Sequence, residues 1–436
     1  MKIHLNKKIV VSILAALGVN TISNAQTTSD SLSYKKAIEM VVSHNPLIKQ
    51  AEEKSNGSVW KEKLAASAYL PNISAAASVT KLYPMQAFDF GTMHIQMVPD
   101  FSMDYGVKVN QLIYDFGKTS VNQGLTKTNS EINILNIEQL KQQLAMAATG
   151  NFFTLVYIQS AIDIKSDEIK TLKQHLKFVE NKQRTGSATQ YEILSTKVRI
   201  SVNETQLTDL QTSLQVQLSH LNKLMDTTNF AFVVKDDLLV DKPMATNDSL
   251  YNFAFTHRDD ALLVEKKASI AEWNYKIAGS QYKPSLMFIG STGLKNGYLP
   301  EVNKLQYNYL AGVSLNIPIF DGNRKHINQQ IAGSGIAEVN FEKENIRNTI
   351  SDEVKENYVS LQLAEQKIKQ FTVQLEQANE AYEHAQANFK AGAITNLDLL
   401  DASNAIAESK LMLLKAQIDY KLYLIKFKAA IGERLY

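Results

Sequence analysis

Two hydrophobic periods alternate along this chain, and the pair occurs twice. The first period is seven. Leu155, Ile162, Ile169 and Leu176 recur by seven, with Ile158, Leu172 and Val179 interleaved. Further on, Leu361, Ile368, Leu375, Tyr382 and Phe389 do the same, with Ala364, Phe371, Ala378 and Ala385 between them. Sustained spacing of seven predicts supercoiled helices, and alanine along one seam predicts close helix approach. The second period is two. Tyr105, Val107 and Val109 alternate with Gly106, Lys108 and Asn110. Tyr307, Tyr309, Ala311, Val313, Leu315 and Ile317 alternate with Asn308, Leu310, Gly312, Ser314 and Asn316. One apolar face at period two predicts strands, and it is also the weak signature of membrane-barrel strands.

Proline sets the boundaries. The eight prolines stand at 46, 71, 84, 99, 243, 284, 300 and 318, which leaves 100–242 and 319–436 free for long helices. The pattern predicts helices over 117–182 and 323–390, each spanning ~100 Å at about 1.5 Å per residue. Helices return from them to about Met225 and Ile431, roughly half as long. Shorter helices over 30–69, broken at Pro46, and 248–282 have the right length to stack end to end with the returning ones. Strands are predicted near 72–82, 104–114, 285–294 and 306–320.

These elements form a tandem duplication. RTGSATQYEILS (184–195) and KAGAITNLDLLD (390–401) share the order basic, Gly, Thr, acid at an offset of 206 residues. YGVKVNQLIYDFGK (105–118) matches AGVSLNIPIFDGNR (311–324) at the same offset, as does Asn151-Phe152 with Asn357-Tyr358. The expected organisation is a signal peptide (1–25), a first repeat (26–227, tip 184–192), a linker (228–247) and a second repeat (248–436, tip 390–398).

Composition narrows the function. Lys2, Lys7 and Lys8 precede the apolar run Ile9 to Val19, and Ser23-Asn24-Ala25 offers a cleavage site after Ala25. Removing those three lysines takes the net charge from +2 to −1, which gives no reason to expect nucleic-acid binding. There is no cysteine, hence no disulfide, thiolate metal site or lipid-anchor Cys. No nucleophile elbow, phosphate loop or HExxH is present, and the DFG at 115–117 lacks its kinase companions. The chain reads as no enzyme and as needing no cofactor. Met85, Met93, His94, Met97 and Met103 are donors suited to soft ions, but a loop folded over a barrel mouth explains them as well.

No later window approaches a membrane-spanning helix, so an exported protein of this kind enters a membrane only as a barrel. Each repeat supplies two strands. Four strands cannot close, and an open sheet leaves unpaired edges in lipid. Three chains give twelve strands.

The duplicated strand–loop–strand, the (Y/F)D-G-(K/R) junctions and the G-x-x-T-x-x-(D/E) tips together resemble the outer-membrane efflux protein family, the TolC-like channels. The resemblance covers essentially the whole mature chain. It implies a mainly α protomer with a small β part, and a homotrimeric α-helical barrel in the periplasm. A shared twelve-stranded β-barrel in the outer membrane, in contact with its lipid, would cap it. It further implies a passive exit duct for efflux or type I secretion. A periplasmic adaptor would couple that duct to an inner-membrane transporter of RND, ABC or MFS type. Two other readings compete: a trimeric stalk, and a soluble periplasmic scaffold.

Candidate site residues lie at the tips. Asp398 and Asp401 are three apart and share a helix face. The resemblance places these acids, with Glu192, around the periplasmic entrance, where a carboxylate ring would favour cations. It also has the tips, with Gly186, Thr189, Gly392 and Thr395, meet the adaptor. Capping explains much of the same pattern: Thr189-x-x-Glu192 and Thr395-x-x-Asp398 are capping boxes, and both glycines suit helix ends. It does not explain Asp401, whose counterpart is Ser195. One position departs from the family. The basic residue that helps lock the entrance is replaced by Ile394, so closure there rests on apolar contact or is held less tightly.

Overall fold

Helix follows wherever the period of seven runs without proline. In the computed structural model, which describes residues 31–81, 83–84, 87–91, 93–227, 233–234 and 248–436, α3 (Lys118–Arg184) and α7 (Arg324–Ala391) are each continuous. The expected signal peptide and Met85 lie outside the described residues, as does most of the linker.

The chain enters through a two-residue strand β1 (Ser31–Leu32), then α1 (Tyr34–His44) and α2 (Pro46–Ala66). Four further strands follow: β2 (Asn72–Lys81), β3 (Ala87–Phe90), β4 (Met93–Gln96) and β5 (Phe101–Tyr114). After α3, the helix α4 (Gln190–Leu224) returns, and β6 (Val233–Val234) pairs in parallel with β1. The second repeat comprises α5 (Asp248–His257), α6 (Asp259–Ser280), β7 (Ser285–Lys295), β8 (Gln306–Asn316), α7 and α8 (Asn396–Ala430).

Three details differ from the pattern reading. The last strand stops at Asn316 rather than running to 320, because Pro318 has no N–H for the ladder. The first loop is partly ordered as a β3–β4 hairpin. The helix over 248–282 breaks at Arg258, at the repeat position of the Asn45–Pro46 break.

The main sheet is antiparallel in the order β2-β5-β7-β8. Its register carries the alternation across all four strands. Ala75, Val107 and Thr292 stand opposite one another, as do Ala77, Tyr105, Leu294 and Tyr307. One face therefore presents apolar and aromatic groups. The other is mixed, with Ser74, Lys108, Ser291 and Asn308 beside Leu112, Met287, Ile289 and Leu310. Neither face is covered within the protomer: β2 is exposed along its whole length, as is nearly all of β8.

Below the sheet, the short helices stack on the ends of the returning ones. Asn45 donates from Nδ2 to the carbonyl of Leu224 (2.9 Å), and Arg258 donates to the carbonyl of Ala430 (3.1 Å). Each repeat uses the residue at the break of its short helix to satisfy a helix end that has no intrahelical partner. Two buried clusters fill these junctions. One gathers Ile38 and Val41 with Phe152, Phe153 and Leu221; the other gathers Ala254, Ile350, Val354 and Phe427.

Candidate functional site: the paired hairpin tips

The two long hairpins end side by side. At each tip the chain must reverse, and a glycine in the left-handed region does so, Gly186 at φ 75° and Gly392 at φ 76°. The next helix then starts on a full capping box. Thr189 donates its backbone N–H to Glu192 (2.6 Å) and accepts at Oγ1 from the Glu192 N–H (3.3 Å). Thr395 donates its N–H to Asp398 (2.8 Å) and its hydroxyl to the same Oδ2 (2.7 Å). Those bonds hold the exposed Asp398 carboxyl below the usual carboxylate range.

Side chains that periodicity does not single out join the tips. Asn396 is 3% exposed. Its Nδ2 reaches the Glu192 carbonyl (3.4 Å), Ser195 Oγ (3.4 Å) and Thr196 Oγ1 (3.2 Å). Its Oδ1 accepts from His175 Nε2 at 2.6 Å. Burial pushes the His175 imidazole below its ordinary value, so the neutral ring is the donor. His175 and Phe178 stack beside Phe389, and the Lys182 ammonium lies over both phenyl rings at 5.3 and 4.8 Å.

Asp401 has a partner from the other hairpin. Arg199 on α4 donates to its Oδ1 at 2.5 Å, while most of the carboxylate stays in solvent. Leu172, Ile200 and Leu400 form an apolar cluster between the same hairpins. Ile394 packs with Val179, Ile193, Phe389 and Leu399, inside one protomer. The structure thus ties Asn396 to the start of α4 and pairs Asp401 with Arg199, and it turns the carboxylates of both Glu192 and Asp398 back on their own caps.

A duplicated chain with a four-stranded, two-edged sheet on helices about 100 Å long defines the architecture of outer-membrane channels with periplasmic helical ducts. The chain matches the sequence model of the outer membrane efflux protein family over residues 259–433, most of its second repeat. Its place is the outer membrane, with the helical part in the periplasm. Among curated proteins it is similar to the alkaline protease secretion protein AprF of Pseudomonas aeruginosa, 19% identical over 285 residues. That match covers 64% of this chain and 59% of AprF, about three fifths of the relative's length. Solved structures share the whole fold. The outer membrane protein VceC of Vibrio cholerae superposes with a TM-score of 0.76 at 17% identity, covering 92% of this chain and 97% of VceC. The CmeC outer membrane channel of Campylobacter jejuni gives 0.78 at 15% identity, covering 98% and 94%.

Proposed function

We propose that three copies of this chain assemble into a passive trans-periplasmic exit duct, serving a tripartite efflux or type I secretion system. One observation carries the reading. The sheet β2-β5-β7-β8 has two unpaired edge strands and one continuous apolar face, so it can enter lipid only by joining other copies edge to edge. Twelve strands would then form the barrel, and the helices would continue it as a tube. A periplasmic adaptor would grip the tips around Gly186, Thr189, Gly392 and Thr395, and an inner-membrane transporter would deliver cargo. The secretion role in AprF's name and the channel named in CmeC support this reading. At the entrance, Glu192, Asp398 and Asp401 would form the acidic ring, with Arg199 restraining Asp401.

The test is the protein mass of the detergent-solubilised particle by light scattering, followed by conductance in planar bilayers. Three chains and ion-conducting steps are expected. A stable monomer without conductance would return the scaffold reading.

A further inference from the structure

The two tryptophans occupy the same place in the two repeats. Trp60 on α2 and Trp273 on α6 are 213 residues apart, the offset that also relates Asn45 to Arg258. Their surroundings repeat within the helix. Lys63 lies over the Trp60 ring at 4.2 Å, and Lys276 lies over the Trp273 ring at 4.3 Å. Ala65 and Ala278 are both buried one turn on. Their outward contacts are not the same. Trp273 rests on α3: its Nε1 donates to Thr128 Oγ1 at 3.1 Å, and its ring lies where a Cβ on Gly124 would stand, 2.7 Å away. Trp60 has no such hydrogen bond or ring contact to another helix among the described residues and is 66% exposed.

Helices α2, α3, α6 and α7 pack in a row in that order, so α2 and α7 are its two ends. The α3 face that receives Trp273 has a counterpart on α7 at the offset of 206. Thr128 corresponds to Ser334 and Gly124 to Gln330, and the face continues through Ala337 to Phe341. All four of these α7 positions are exposed, and Phe341 is 72% so. On α2 the matching face is Glu53, Gly57, Trp60 and Leu64, all exposed as well. Each end of the row therefore carries one half of a contact that the chain makes internally between its repeats. A second copy of this chain supplies the missing half, as an isologous sheet edge would not.

We propose that Trp60 is the anchor of the seam between protomers. It seats on α7 of the neighbouring copy beside Ser334, with the indole N–H donating to the Ser334 hydroxyl. Gln330 replaces the glycine that lets Trp273 lie deep, so the ring sits further along, over Gly333. That glycine has open space where a Cβ would stand. A large aromatic group with one donor, buried against a small-residue patch with one acceptor, is the composition of an interface hot spot. The inference rests on the three-chain reading and names the contact that holds it.

The chain has no cysteine, so site-directed cross-linking is clean. The Trp60→Cys, Ser334→Cys double variant, oxidised in native outer membranes, is expected to give covalent dimers and trimers in denaturing gels. Either single variant is expected to stay monomeric. A second readout keeps Trp60 itself. In Trp273→Phe, the remaining tryptophan is expected to be blue-shifted and shielded from iodide in the intact particle, and exposed after dissociation. A particle of three chains with no 60–334 cross-link and a solvent-exposed Trp60 would overturn the anchor and leave the trimer standing. A monomeric particle would overturn both.

Discussion

Asn396 is the residue on which the tip geometry turns. It is the first residue of α8, yet its side chain faces α3 and α4 rather than solvent. The burial of its partner His175 makes the tips sensitive to acid. Burial, the largest cause, lowers the His175 pKa below its ordinary 6.5; nearby Lys182 acts the same way, while Asn396 and Glu192 oppose them. A depressed folded pKa means that protonation favours the state in which the ring meets water. The buried placement of His175 against the tip is therefore fully favourable above pH 6.5 and loses stability as pH falls below it, although its bond to Asn396 opposes the loss. Hydrogen exchange around 389–401, corrected for intrinsic rates, is expected to quicken between about pH 7.5 and 5.5 beyond the loss seen in His175→Gln. Identical corrected exchange at both pH values in the wild-type chain would sink this. The acids are tested separately. Replacing Asp398 and Asp401 together by alanine is expected to lower cation selectivity in planar bilayers. Arg199→Ala, which frees Asp401, is expected to raise it. The ion pair itself is largely exposed and contributes only about 0–1 kcal/mol to stability, so the readout is the current, not the melting temperature. Unchanged selectivity in both variants would remove these residues from the entrance.

At the scale of elements, the β5–β7 pairing is the join between repeats, because it brings strands of the two repeats side by side. Gly106 and Gly293 face each other there, and the backbones approach closely. A Cβ on Gly293 would lie 2.1 Å from the Tyr105 carbonyl oxygen, and one on Gly106 2.8 Å from that of Thr292. The obstacle is backbone, which cannot swing aside as a side chain can. Gly293→Ala is expected to cost about 1–3 kcal/mol, with Gly106→Ala milder. The measurement is the temperature at which the assembled particle dissociates. An unaltered transition for Gly293→Ala would show that this join does not limit stability. The helical elements follow a simpler rule. A seam residue such as Leu361 or Val179 is fully buried because two coiled helices close over it.

For the whole molecule, what stands out is exposed apolar surface with a definite layout. Tyr307, Tyr309, Val313 and Leu315 lie on one face of β8, and Trp60, Leu64 and Phe341 lie on the ends of the helical row. Monomeric soluble proteins rarely expose contiguous patches of this kind. The first set suits lipid and the second suits other copies, and a particle of three chains accounts for both. Its mass is the first measurement to make, since every prediction about entrance or seam presumes it.

Much of this could be read from the chain without coordinates. Helix, strand and tip are local: the period of seven, the period of two, proline gaps, glycine at a reversal and a Thr-x-x-acid cap each act within a few residues. Their recurrence at one offset then exposed the duplication and, with it, the strand count that a single chain cannot close. The contacts that set the site were a different matter. Arg199 meets Asp401, and Asn396 meets His175, across about 200 residues. Arg199 has an alanine, Ala405, at its repeat position, so the duplication gives no hint of it. The β3–β4 hairpin and the unequal fates of Trp60 and Trp273 also belong to the tertiary structure. Sequence period decides which face a side chain occupies; only packing decides whether another helix is there to meet it.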